Sequence, residues 1–399
     1  MEVRQSVLGE ISARSGQRVE SIDIGTLVRR LILFDTVIVK SFRLREIPTL
    51  VRTFGKNGFL ELLSSGALRL SCEFTCVITD IHQNGVRTVP PEHFTFGIAD
   101  IADREGTLRK ELGALQDISG LKNKEREEIE IAVRASLLRP PQNFGQTLLQ
   151  QIDADLRSNS PALKVGVVDQ LKKAATDSNF DASQVEIAVE EPQSRIFRIR
   201  NSIAKDFKLT PETTQTLLGR SVTALTNLTQ RLAEMQAYSA ITGFLDTEAP
   251  LLFGKLSGIV SVLNPSVSEG QFKRVIEVAG VPDFKPGQRV DVSKLMAVRE
   301  STECRDFRGW LSAADSLSDE EILDATAGVK NRLAQLAGSS DGKALRFAVT
   351  TGLGLIPGAG LAVGAAAGLI DSFLVDRVLP RSGIVAFLAE KYPSLFVRS

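Results

Sequence analysis

The chain has 399 residues, 43% hydrophobic and 24% charged, and its 48 basic and 48 acidic side chains cancel to a net charge of zero. That length allows two or three domains with proper cores, and the missing basic excess argues against a dedicated nucleic-acid binder. Three cysteines leave no disulfide framework, and the polar opening Met1-Glu2-Val3-Arg4-Gln5 lacks the apolar stretch of a secretory signal, so cytoplasmic residence is the expectation.

In chain order, residues 1–104 read as a small α/β domain. Leu27 to Phe34 suits a buried helix end, and Thr36-Val37-Ile38-Val39 is β-branched and strand-like. Ile47, Leu50, Val51 and Phe54 fall at helical spacing up to Gly55, and Phe59 to Leu63 predicts a second short helix ending at Gly66. From Leu68 to Ile78 apolar and polar residues alternate, which predicts one strand with a wet face; Asn84-Gly85 then reads as a hairpin turn.

Residues 105–342 read as a helical body. Glu125 to Leu138 stops before Pro140-Pro141, Asn143 opens a helix to about Leu156, and Ser160-Pro161 opens another to about Ala175. Residues 185–200 interrupt this with extended sequence suited to a short hairpin. Thr210-Pro211 starts the longest periodic run, its stripe passing through Leu217, Leu218, Val222, Leu225, Leu228, Leu232, Met235 and Tyr238. Ser268 with Gln271, and Ser318 with Glu321, are capping boxes. The run Arg299 to Arg308 reads as an exposed, charge-laced helix.

Residues 343–399 differ from everything before them. Phe347 to Ile370 carries no charge, and Gly360, Gly364 and Gly368 recur every fourth residue within it. On a helix this spacing makes one bare face against which a second helix can lie closely. Gly and Ala are a poor source of helix stability when Gly is this frequent, so the face must be pressed against something apolar. Pro357-Gly358 divides the stretch into a helical hairpin, each arm too short to cross a bilayer alone. The tail from Ile384 to Phe396 is amphipathic.

Chemistry-bearing candidates are few. Asp35, before a predicted strand, could join Asp80 and one of the two histidines, His82 or His93, as a metal-dependent hydrolase or nuclease site, with Asp100 as a further carboxylate. Cys72 and Cys76 on one strand face would lie about 13 Å apart at ~3.3 Å per residue, too far to chelate one ion, so core packing is the expectation and no metal or cofactor is assigned. Gly352, Gly354, Gly358 and Gly360 miss the dinucleotide fingerprint because Pro357 stands where its third glycine belongs. Arg195, Arg198, Arg200 and Lys205 form a basic cluster expected to be a solvated strand face.

The sequence therefore predicts an α+β protein: a small N-terminal α/β unit, a large mostly helical body and a C-terminal Gly/Ala-rich hairpin. The expected function is non-enzymatic, a cytoplasmic protein whose hairpin associates with or inserts into the inner face of a membrane. The alternatives are a soluble homo-oligomeric scaffold with the Gly360/Gly364/Gly368 face buried in the fold or between subunits, and the N-terminal hydrolase.

Overall fold

The computed structural model describes residues 5–8, 22–41, 44, 46–72, 75–79, 82–83, 86–87, 93–100, 104–118, 120–138, 143–157, 161–174, 185–242, 269–285, 288–313, 317–330, 332–333 and 381–398. The fold is α+β with a helical body, built around a parallel and an antiparallel sheet.

The first unit begins with β1 (Gln5–Leu8), α1 (Ile24–Leu33), β2 (Thr36–Ser41), α2 (Ile47–Ser64) and β3 (Leu68–Cys72). Helix α1 starts where the Asp23 carboxylate accepts from the Thr26 N–H at 3.2 Å. Burial pushes the Asp23 carboxyl up, but the Thr26 hydrogen bonds and the Arg29 charge outweigh it, so its pKa lies below the ordinary value. Helix α2 is the two predicted helices meeting at a kink: Gly55 sits at φ 69°, ψ 161°, a non-helical conformation open only to glycine, and it divides the helix there.

Next come β4 (Thr75–Thr79), β5 (His82–Gln83), β6 (Val86–Arg87), β7 (His93–Asp100), α3 (Arg104–Gly113), α4 (Asn123–Ser136) and β8 (Leu137–Leu138). The alternating run expected to be one strand is divided between β3 and β4, which belong to different sheets. Alternation fixes which residues share a face, but not which neighbour a strand takes.

The body continues with α5 (Phe144–Arg157), α6 (Pro161–Ala174), β9 (Ile187–Gln193), β10 (Ile196–Asn201), the short α7 (Ile203–Asp206), the 28-residue α8 (Pro211–Tyr238) and β11 (Ile241–Thr242). After these come α9 (Glu269–Ala279), β12 (Gln288–Val290), α10 (Val292–Glu300), α11 (Thr302–Ala313), α12 (Asp319–Ala325), α13 (Arg381–Ala386) and β13 (Phe396–Arg398). The Ser318/Glu321 capping box forms as expected, each side chain meeting the other's backbone N–H. The cap expected at Ser268 and the hairpin glycines Gly360, Gly364 and Gly368, with Pro357 and Gly358, lie outside the described residues.

All pairings in the five-stranded sheet are parallel, in the order β11-β1-β2-β3-β8. Its register puts Val37 beside Leu68 and Val39 beside Leu70, and these four face the larger core with α1, α2, α4 and α9 to α13. Its other face carries Val7 and Ile38 against Ala240, Leu138 and Tyr238. The antiparallel sheet, in the order β4-β7-β10-β9, turns Phe94, Phe96, Phe197 and Ile199 into a second core with α5, α6 and the N-terminal half of α8. The hairpin expected at 185–200 is thus β9 and β10, and it extends a larger sheet through β7.

Helix α8 runs from the second core to the face of the parallel sheet that looks away from the larger core. Thr210 caps its start, accepting from Thr213 N–H at 3.2 Å, and buried Ser221, Thr226 and Thr229 return their hydroxyls to carbonyls four residues back. Leu217, Leu218, Val222 and Leu225 enter the second core. Near its end Gln230, Ala233 and Glu234 are buried while Leu232 and Met235 are half-buried, so the face it presents rotates where it meets the parallel sheet.

Candidate functional site

The chain segment that receives the C-terminal side of the apolar stretch is built into the larger core. After α13 the chain forms a π turn over Phe387–Lys391 and a 3-10 turn over Pro393–Leu395, and then β13 pairs antiparallel with β12. Ile384, Phe387, Leu388, Ala389, Tyr392, Leu395 and Phe396 are all buried there. Phe387 stacks on Phe307 with centroids 4.3 Å apart, and Phe272 and Tyr392 flank it at 6.0 and 6.3 Å. Offset aromatic contacts at such distances add to the area they bury. At Gly383 a Cβ would come 2.4 Å from an Asp306 carboxylate oxygen, so α13 lies close on α11 because this position lacks a side chain.

A polar knot fastens the same limb to α1. The fully buried Tyr392 hydroxyl donates to Asp283, whose other oxygen takes the Arg29 guanidinium at 2.5 Å. Arg29 also donates to the Thr26 hydroxyl at 3.0 Å. Burial, with the Asp283 charge beside it, holds the Tyr392 phenol well above its ordinary pKa, so it stays a donor at any physiological pH. At the rim, Arg332 pairs with Glu390, and Lys391 lies 3.9 Å from Glu303.

A second polar cluster lies on the face of the parallel sheet that α8 covers. Lys40, near the end of β2, forms an ion pair with Glu234, and the Gln230 amide donates to the same carboxylate oxygen at 3.0 Å. Both charged side chains are nearly fully buried. Beside them Ser71 of β3 and the Tyr238 hydroxyl are 2.9 Å apart. Each charge has an opposite charge in contact, the condition under which a buried pair is tolerated. The cluster registers α8 on the sheet.

The sequence-predicted residues fall elsewhere. Asp35 is exposed at the start of β2, the opposite end of that strand from Lys40, and its carbonyl accepts from Arg299 at 2.7 Å. In open parallel sheets ligands bind beyond the other, carboxyl ends of the strands. His82 lies in β5, His93 opens β7 in register with Arg198, Asp100 ends β7, and Asp80 is outside the described residues. Among the described residues, no group of three or more His, Cys, Asp and Glu side chains is placed to hold a metal ion.

The charged run at 299–308 is more than a solvated helix. Arg299 donates to the Phe34 carbonyl at 3.0 Å as well as to Asp35, while Cys304 and Phe307 are buried. Burial, then the neighbouring Arg308 charge, lowers the Arg299 pKa; burial raises that of Cys304. In the basic cluster, Arg195 lies 3.5 Å from Asp153 and Arg200 lies 2.9 Å from Glu190. These pairings offset two of the four charges of the cluster.

Sequence reasoning missed Lys40, Glu234, Asp283 and Tyr392. One signal was present: Arg29-Arg30, whose first residue holds Asp283, interrupts an apolar helix. No family model, curated protein or solved structure matches the chain.

Proposed function

We propose that this is a non-enzymatic cytoplasmic protein whose folded body holds an apolar, Gly/Ala-rich excursion that associates with the inner face of a membrane. The observation that carries the reading is the position of the flanks. Leu333 and Ile384 belong to one core, so the chain on either side of the uncharged stretch 347–370 is held by the same body. A segment fixed at both ends suits a hairpin that dips into a bilayer and comes back, for which Pro357-Gly358 is the turn. No helix among the described residues is long and apolar enough to cross a membrane.

The test is flotation with liposomes. Truncation before residue 343 is a poor control, because it removes the buried limb from Ile384 to Phe396. The informative variant replaces 347–370 by a Gly/Ser linker of equal length and keeps the limb. The full chain should float and the linker variant should stay at the bottom; equal behaviour of the two overturns the reading. The competing oligomer reading predicts instead that Gly364→Leu dissociates an assembly in lipid-free buffer, since a bulky side chain blocks a close helix crossing.

A further inference from the structure

We draw no further inference here: the strongest candidate, the side-chain cluster of Asp153, Arg157, Glu191 and Arg195 where α5 meets the β9–β10 turn, leaves one buried Asp153 oxygen without a hydrogen-bond partner, but burial and the two guanidiniums push that carboxyl in opposite directions and nothing in the structure shows what ligand or partner it would take.

Discussion

If the C-terminal limb is core, then Phe387→Ala should destabilise the larger core severely. Phe387 has no exposed surface and sits against Phe307, Phe272 and Tyr392. Emptying such a site costs about 3–5 kcal/mol, the lost transfer energy plus that of the cavity. This is a large share of the ~5–15 kcal/mol that holds a typical domain together. The reporter is already in place: Trp310, the single tryptophan, is buried with its ring 6.1 Å from that of Phe307. Urea unfolding followed by Trp310 emission should show a midpoint shift equivalent to about 4 kcal/mol. The control is Ile131→Ala on α4, where the side chain is 62% exposed and the change should stay within ~0.5 kcal/mol. A Phe387→Ala shift no larger than that of the control would refute the placement of the limb, and with it the claim that the apolar stretch is held at both ends.

Four further outcomes follow from the geometry. Lys40→Met should cost about 3–5 kcal/mol by leaving Glu234 charged and unmatched, while Lys40→Met with Glu234→Leu should recover most of it; a double-mutant cycle in thermal melts checks this, and additive losses would contradict it. Tyr392→Phe should cost about 1.5–3 kcal/mol, the range for a hydrogen bond to a charged group, measured by the same urea unfolding. Gly383→Ala should destabilise because its Cβ meets Asp306, and Asp306→Ala should relieve that clash in the double variant. Glu191, hydrogen-bonded by Arg157, titrates at about 2 rather than the usual 4.5. Its folded pKa is depressed, so its contribution to stability is complete above the unfolded value and is lost as pH falls through about 2. The stability difference between the native chain and Glu191→Gln should therefore persist from neutral pH to about 4.5 and vanish near pH 2.

Much of the secondary structure was legible because its signals are local. Thr210-Pro211 and Ser318/Glu321 announced their helices, since caps satisfy donors within one turn of the chain. Leu68 to Ile78 was harder: its alternation is real, yet β3 and β4 pair in different sheets, a choice made by partners far away in sequence. The burial of the limb was half legible. Its amphipathic pattern was visible, but Tyr392, Asp283 and Arg29 meet across more than a hundred residues in each direction, which no periodicity can reveal. Lys40 and Glu234, 194 positions apart in the sequence, likewise read as ordinary surface charges until the fold brings α8 down on β2.

The most direct test of the central claim is the polarity around Ala362, between Gly360 and Gly364. It uses Ala362→Cys carrying an environment-sensitive dye, in a chain whose three native cysteines are replaced. The account predicts water-like emission in buffer and a shift to the blue when liposomes are added. Emission that is already blue in buffer and unmoved by lipid, or water-like in both, would contradict it.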